Sequence, residues 1–346
     1  MGSLLSVTVE RLVDRWLTGT APLPILDEAS VAVARDAARA AGADAGLDAT
    51  ARERLAFVAS ELGHNQRKHA MGGAIGLWAV TRLGVPGVEL VAADRGAGIA
   101  DPARALEGLP RPAGPGLGVG LSAVLRQADE VDVDVRWGEG TCVRARVFAA
   151  PVARSEVAIL GRAGPDDPVS GDTATAVRTD GALLIAAVDG LGHGPAAREA
   201  ATRALAVVHE DGHLPLEEVI ARADRELIGT RGAVMALGRL DLAAATITHA
   251  AMGNLTTRVH GADGGFRAFV SAAGTLGVTR PGRRLLAEVA PFAPPQIVTM
   301  VSDGIVSRID LTGEGPLLRR HPLVIAQHVV ARFARGNDDA IVIVVR

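Results

Sequence analysis

A glutamate and an asparagine four residues apart, Glu61 and Asn65, have types and a spacing that could support chemistry. On a helix this spacing puts both side chains on one face, one turn apart. A carboxylate can accept a proton or orient a nucleophile, and an amide oxygen can ligate a hard cation such as Mg²⁺. A polar helix face without chemistry is the alternative interpretation of these two residues taken alone.

Lys68, one turn further along, is the only lysine in the chain. A compact ammonium beside a carboxylate and an amide would suit a phosphate contact. A residue that survived by chance in an arginine-rich sequence is an equally good explanation.

Glycine-rich segments follow this helix in the sequence. Asp94 ends a predicted strand over 88–93 and begins the sequence Asp-Arg-Gly-Ala-Gly, at a strand end where open α/β sheets bind ligands. Residues 114–121 form a glycine-rich loop before a predicted helix, and such loops present backbone N–H groups to an anion. Thr141 lies at a predicted hairpin between strands 131–137 and 142–148, of which the first alternates apolar and polar residues and is predicted to be half-buried.

Four aspartates follow or begin predicted strands in the second half of the chain, namely Asp172, Asp189, Asp303 and Asp338. Convergent carboxylates with a backbone carbonyl are the ligands that hard divalent cations need. Two such cations can clamp a phosphoryl oxygen and generate a hydroxide nucleophile. Any single Asp-Gly pair is better explained as a turn, but four in this order favour a metal centre.

The elements that must position these residues fall into two parts. Helices are predicted over 27–45 and from Asp48 or Thr50 to Ala70, followed by strands and the glycine loops. The second part alternates strands with helices over 195–209, 216–228 and 322–334. A boundary is predicted at Ala149–Val152, which gives domains of 1–150 and 151–346.

Composition limits the class of protein. The chain has 346 residues, a net charge of −3 and a single cysteine, so neither nucleic-acid binding nor a disulfide framework is expected. No apolar run reaches membrane-spanning length and no signal pattern begins the chain, so a cytoplasmic protein is expected.

The order of the N-terminal motifs over residues 25–148 resembles the GHKL ATPase/kinase family, and most closely its RsbT and SpoIIAB group of serine protein kinases. The resemblance implies an α/β sandwich of the Bergerat type that binds ATP and Mg²⁺. It makes Glu61 the general base or the residue that orients the acceptor hydroxyl, Asn65 the Mg²⁺ ligand, and Asp94 the acceptor of the adenine amino proton. The other implied nucleotide contacts are Gly96, Gly98, Gly116, Gly118, Gly120 and Thr141. Lys68 is a candidate phosphate contact from its charge and position alone.

The C-terminal motifs over residues 155–346 resemble the metal-dependent PPM-type phosphatases, in their SpoIIE and RsbX-like branch. The motifs are Gly171-Asp172, Asp189-Gly-Leu-Gly-His-Gly194, Gly253-Asn254, Ser302-Asp303-Gly304 and Asp338-Asp339. This resemblance implies an α/β/β/α sandwich with two Mn²⁺ or Mg²⁺ ions. The implied ligands are Asp172, Asp189, the Gly190 carbonyl, Asp303 and Asp338, with Asp339 as the alternative to Asp338. His193 would transfer protons in the reaction, or it would only be part of the turn that leads into the next helix.

Together the resemblances imply a bifunctional switch, an ATP-dependent serine/threonine kinase joined to a serine/threonine phosphatase that acts on STAS-type or stressosome-like partners. A sigma factor or a downstream phosphatase is a further implied partner, and a homodimer is allowed. Two alternatives remain open. In one, a non-catalytic ATP sensor gates the phosphatase, and in the other the chain is an anti-sigma factor that sequesters a sigma factor.

Overall fold

The structure, a computed structural model, describes residues 22–70, 73–107, 120–152, 155–165, 167–179, 181–278 and 285–346. The chain divides into two compact units, one up to Glu156 and one from Val157 to Arg346. This division lies just beyond Ala150, where the sequence places the boundary.

The elements of the N-terminal unit alternate helices with antiparallel strands. They are β1 (Leu23–Ile25), α1 (Glu28–Asp44), α2 (Ala49–His69), β2 (Gly73–Arg82), β3 (Val85–Asp94), α3 (Pro102–Glu107), α4 (Gly120–Gln127), β4 (Glu130–Arg136) and β5 (Gly140–Phe148). The strands pair in the order β1-β2-β3-β5-β4, and α2 packs against β2, β3 and β5.

Side-chain caps start the two long helices where the sequence predicts them. Asp27 accepts a hydrogen bond from the Ser30 N–H at 2.8 Å, and Asp48 accepts one from the Ala51 N–H at 2.7 Å. Each bond satisfies an N–H group that has no partner inside the helix. The predicted helices 27–45 and 48–70 are therefore confirmed as α1 and α2.

The prediction that β4 is half-buried is wrong. Every residue of β4 is buried, including its polar positions Glu130, Asp132 and Asp134. Cross-strand ion pairs explain this burial, since Arg82 Nη2 lies 2.7 and 2.6 Å from the two Glu130 oxygens and Arg146 Nη1 lies 2.9 Å from Asp132 Oδ2. Paired charges can be buried where single ones cannot.

The C-terminal unit contains two antiparallel sheets and flanking helices. Its elements are β6 (Val157–Arg162), β7 (Asp172–Arg178), β8 (Ala182–Gly190), α5 (Pro195–Asp211), α6 (Leu216–Glu226), β9 (Ala233–Asp241), β10 (Thr246–Met252), β11 (Thr256–His260), β12 (Phe266–Ala268), β13 (Glu288–Pro291), β14 (Ile297–Val301), α7 (Gly315–Leu318), α8 (Pro322–Phe333) and β15 (Ala340–Val345). Within this unit the orders are β6-β15-β14-β11-β12 and β13-β10-β9-β8-β7.

The two sheets pack face to face over an aliphatic core. Ile159 and Ile343 of one sheet lie in the same buried cluster as Ile185 and Ile247 of the other. Helices α5 and α6 cover the outer face of the second sheet, and α8 packs on β6 and β15. This arrangement confirms the predicted α/β/β/α sandwich.

Candidate active sites

Helix α2 carries three of the predicted nucleotide residues on its C-terminal half. Leu55, Val58 and Leu62 face the core, which leaves Glu61 and Asn65 half-buried at the edge of the helix. Lys68 is exposed in the last turn. Since Glu61 and Asn65 are one turn apart, a bound group can meet both side chains.

A buried glutamine that the sequence analysis did not single out fixes the rotation of this helix. The Gln66 Nε2 donates to the Ala74 carbonyl of β2 and to the Ala93 carbonyl of β3, each at 3.0 Å. These two bonds attach the helix face next to Asn65 to adjacent strands. The motif Glu-x-x-x-Asn-Gln contained this signal, because a polar residue on the apolar side of a helix needs buried partners.

The glycine at the start of α4 lies directly against Asn65. A Cβ on Gly120 would be 2.9 Å from Asn65 Oδ1 and 3.1 Å from Asn65 Nδ2. Only glycine therefore leaves room for this amide at the helix N-terminus, where backbone N–H groups favour an anion. Gly116 and Gly118 lie outside the described residues.

Asp94, Gly96 and Thr141 meet at the end of the sheet that lies beside the C-terminal turn of α2, since a Cβ on Gly96 would be 2.7 Å from the His69 carbonyl oxygen. Asp94 and Thr141 are register partners on β3 and β5, and the Gly96 N–H donates to Asp94 Oδ1 at 2.8 Å. Burial raises the pKa of Asp94, while hydrogen bonds from the Gly96 and Thr141 N–H groups oppose the rise. A half-buried carboxylate of this kind is suited to accept a hydrogen bond from an amino group of a ligand.

Gly98 lies in the loop that follows Asp94, against the β4–β5 hairpin. The Ala97 carbonyl accepts a bond from the Gly138 N–H at 3.1 Å, and the Ile99 carbonyl accepts one from Trp137 Nε1 at 2.9 Å. These bonds hold the loop beside Thr141. The structure thus brings Asp94, Gly96, Gly98 and Thr141 together beside the C-terminal end of helix α2, the helix on which Asn65 lies against Gly120.

In the C-terminal unit, Asp172 and Asp189 are direct cross-strand neighbours. Asp172 begins β7, Asp189 lies near the end of β8, and the two are paired in register. Gly190 follows Asp189, and a Cβ there would lie 2.0 Å from the Ala197 carbonyl oxygen. Register partners of an antiparallel pair share a face, so these two carboxylates project together.

Asp303 and Asp338 come from two loops at the same end of β14 and β15. The Ser302 N–H donates to the Ile341 carbonyl at 3.1 Å, and the Ile341 N–H donates to Ser302 Oγ at 3.0 Å. Asn254 Nδ2 donates to Asp303 Oδ2 at 2.8 Å and so orients this carboxylate. Asn254 was recognised in the sequence as part of a motif, but no role was assigned to it.

Asp338 and Asp339 differ in what their carboxylates contact. Asp339 Oδ1 accepts from the Gly164 N–H at 2.7 Å, and its Oδ2 accepts from the Gly171 N–H at 2.5 Å. Asp338 Oδ1 accepts a single bond, from the Asp339 N–H at 2.9 Å. Because backbone donors occupy both oxygens of Asp339, Asp338 is the better placed of the two to ligate a cation.

The carboxylates of Asp172, Asp189, Asp303 and Asp338 influence one another electrostatically. Burial raises the pKa of Asp189, and the carboxylates of Asp172, Asp303 and Asp338 raise it further. Burial also raises the pKa of Asp172, with a hydrogen bond from Ser302 opposing the rise and the neighbouring carboxylates adding to it. Such a group cannot be fully ionised without a compensating positive charge.

The donor set fits divalent cations. Asp172 Oδ2 is buried and has no hydrogen-bond partner among the described residues. A metal-ligating oxygen would have this environment, because buried polar atoms otherwise find a partner. Within the described ranges no three acidic, histidine or cysteine side chains already converge closely enough to hold an ion. The fit to divalent cations therefore rests on the four carboxylates and on the unpartnered Asp172 oxygen.

His193 lies away from these carboxylate contacts. Its side chain is exposed, and Nδ1 lies 3.9 Å from Asp167 Oδ2, which is a long ion-pair distance. This position favours the interpretation of His193 as a residue of the loop before α5.

Two family models match the chain. Residues 25–147 match a histidine kinase-like ATPase domain, and residues 179–346 match stage II sporulation protein E (SpoIIE). The serine/threonine-protein kinase RsbT of Bacillus subtilis strain 168 is 33% identical over 121 residues, which are 35% of this chain and 90% of RsbT. The chain belongs to the RsbT family of histidine kinase-like ATPases.

Solved structures resemble the chain as well. One is described as "The bacterial stressosome: a modular system that has been adapted to control secondary messenger signaling". It is 31% identical to this chain with a TM-score of 0.52, and the matched region covers 56% of this chain and 100% of that chain. The structure of RsbX in complex with magnesium is 18% identical with a TM-score of 0.49, and covers 55% of this chain and 94% of that chain.

The two family models and the RsbT match confirm both predicted resemblances. The chain is an enzyme in which an RsbT-like, kinase-type ATP-binding unit is joined to a SpoIIE-type serine/threonine phosphatase unit, a class that uses divalent metals. In the part of the chain that the structure describes, no helix combines the length and the apolar character needed to cross a bilayer.

Proposed function

We propose that this RsbT-like chain both adds and removes phosphate on serine or threonine residues of STAS-type regulatory proteins. The observation that carries the proposal is the joining of an RsbT-like unit to a SpoIIE-type unit in one chain. Two opposed activities on one polypeptide would set the phosphorylation level of a partner by their ratio. A sigma factor or a further phosphatase would then respond downstream of that partner.

In the kinase unit, Glu61 takes the proton of the acceptor hydroxyl. The hydroxyl oxygen bonds to the γ-phosphorus of ATP as the bond to the bridging oxygen breaks, which leaves ADP. Asn65 would hold the Mg²⁺ that accompanies ATP, and Gly120 would lie against the phosphates. The contact between Gly120 and Asn65 supports this assignment, because phosphoryl transfer depends on positioning and on charge neutralisation.

The remaining proposed nucleotide contacts surround the adenine base, except for Lys68 in the last turn of helix α2. Asp94 accepts a hydrogen bond from the adenine amino group, with Gly96, Gly98 and Thr141 around the base. The cross-strand pairing of Asp94 with Thr141 supports this pocket. Lys68 contacts phosphate oxygens from the last turn of the helix.

In the phosphatase unit, the four aspartates and the Gly190 carbonyl would hold two divalent cations, Mn²⁺ or Mg²⁺. When bound, these cations polarise the phosphoryl group and lower the pKa of water. In the hydrolysis a water oxygen bonds to phosphorus, the bond to the serine oxygen breaks, and a proton passes to that oxygen. The products are the free hydroxyl and inorganic phosphate. The register pairing of Asp172 with Asp189 supports this site.

The test uses the full chain, labelled ATP and a panel of purified STAS-domain proteins. The native chain should label one or more of them, Asp189→Asn should accumulate more label because removal is lost, and Glu61→Ala should leave them unlabelled while still binding ATP. Glu53→Ala, an exposed residue of the same helix, is the matched control and should label normally. Absence of label on every STAS protein, with the Asp189→Asn chain included, would contradict the kinase assignment.

A further inference from the structure

An arginine from a distant part of the sequence lies against the loop that carries the Asp189 motif. Arg231 is exposed and lies between α6 and β9. Its Nη1 atom is 2.8 Å from the point where a Cβ on Gly192 would stand. Gly192 has a φ of +85°, so glycine both permits this backbone conformation and leaves space for the guanidinium.

Backbone hydrogen bonds hold these two loops together. The Leu191 N–H donates to the Gly232 carbonyl at 3.0 Å, which joins the Asp189 loop to the Arg231 loop. The Gly232 N–H donates to Thr230 Oγ1 at 3.0 Å, and that hydroxyl donates to the Leu227 carbonyl at 2.7 Å. The backbone on either side of Arg231 is therefore fixed before any ligand arrives, which lowers the entropic cost of binding.

The position is next to the carboxylate centre. A Cβ on Gly171 would lie 3.1 Å from the Gly192 carbonyl oxygen and 3.2 Å from that of Gly190, and Gly171 directly precedes Asp172. The guanidinium thus borders the backbone that carries the Asp172–Asp189 pair. The ion pairs of the described residues do not include Arg231, so no carboxylate neutralises it there.

We infer that Arg231 binds the phosphoryl group of the phosphorylated substrate, and this inference rests on the proposed phosphatase function. An arginine fork can donate two parallel hydrogen bonds to phosphoryl oxygens, which fixes both the distance and the orientation of the group. The carboxylate centre on its own repels a phosphorylated ligand, so a cationic side chain at its border gives the anion a favourable approach. Arg231 transfers no proton in the reaction and serves as a binding residue.

The test measures binding directly, by calorimetric titration of inorganic phosphate into the full chain loaded with Mn²⁺. Arg231→Ala should weaken phosphate binding about tenfold or more, the scale of a lost charge-assisted hydrogen bond. Arg231→Lys should give an intermediate affinity, because an ammonium keeps the charge but loses the fork. Arg225→Ala removes an exposed arginine at the end of α6 and should bind phosphate as the native chain does.

The outcomes separate this inference from the proposed function. Phosphate affinity that is unchanged in Arg231→Ala, or a native chain that binds no phosphate, would overturn the inference. If phosphate binding depends on Arg231 while the native chain hydrolyses no aryl phosphate with Mn²⁺, the inference stands and the phosphatase activity is contradicted. If hydrolysis occurs, Arg231→Ala should raise KM more than it lowers kcat, since the contact already exists in the ground state.

Discussion

At the residue scale, we expect Asp338 to ligate a cation and Asp339 to accept backbone hydrogen bonds that stabilise the fold. Two variants should distinguish these roles. Asp338→Asn should reduce the thermal stabilisation that Mn²⁺ gives, without lowering Tm in EDTA, because it removes a ligand and relieves repulsion from Asp303. Asp339→Ala should lower Tm in EDTA by the equivalent of about 1–3 kcal/mol, since two backbone N–H groups lose their acceptor. Thermal scans with Mn²⁺ and with EDTA measure both effects. Equal behaviour of the two variants would contradict the assignment.

Gly120 gives a second prediction at this scale. A methyl group at this position would push the Asn65 amide aside, so Gly120→Ala should weaken Mg-ATP binding about tenfold. Gly336→Ala is the control, since a Cβ there meets nothing within 4 Å. Titration of a fluorescent ATP analogue compares the two. The role of Asn65 is refuted if both variants bind ATP like the native chain.

At the element scale, the face of the sheet formed by β3, β4 and β5 is held by buried ion pairs around Arg146. Burial alone would lower the pKa of Arg146, but the carboxylates of Glu89, Asp132 and Glu130 outweigh it and raise the pKa. Arg146→Ala should therefore lower the free energy of unfolding by about 3–5 kcal/mol, because it removes one of the cations that compensate the buried charges of Glu130 and Asp132.

The matched control for this variant is Arg203→Ala. Arg203 pairs with Glu199 at 2.7 Å on the exposed side of α5, and removing this pair should cost less than about 0.5 kcal/mol. Urea unfolding measures both changes. Similar losses in the two variants would show that the charges of β4 contribute nothing special to stability.

The sequence predicts elements better than it predicts contacts between them. The positions of helices α1 and α2 could be predicted from their capping aspartates and apolar periodicity. The candidate roles of Asp172 and Asp189 could be predicted from their places at strand ends. The burial of β4 could not be predicted, because alternation reports which face is polar and not whether arginines on other strands compensate it. The role of Asp339 depends on Gly171, which is 168 residues away, and no local pattern contains that contact.

At the scale of the whole molecule, two buried histidines should make the chain sensitive to acid. Burial lowers the pKa of His249 and of His260 to about 4, from the ordinary value of 6.5. Between these values the unfolded chain binds protons that the folded chain excludes, so the histidine contribution to stability falls as pH drops from about 6.5 to about 4. Each histidine contributes up to roughly 3 kcal/mol to this loss. The raised pKa values of Asp172 and Asp189 contribute with the opposite sign in the metal-free chain, so the histidine effect is measured as a difference between variants.

Urea unfolding across this pH range tests the point. His249→Gln should make the dependence of the free energy of unfolding on pH shallower, whereas His193→Gln, at an exposed position, should leave the slope unchanged. A slope that is equally steep in all three chains would show that other groups cause the acid sensitivity.

The most direct test of the central claim is hydrolysis of a small aryl phosphate by the full chain with Mn²⁺, for the native chain, Asp189→Ala and Asp263→Ala. The claim is that Asp189 belongs to a working metal centre, so Asp189→Ala should lower turnover roughly a hundredfold or more, and EDTA should abolish the turnover of the native chain. Asp263 is an exposed turn residue, so Asp263→Ala should keep the native turnover. Metal-dependent turnover that survives unchanged in Asp189→Ala would contradict the account.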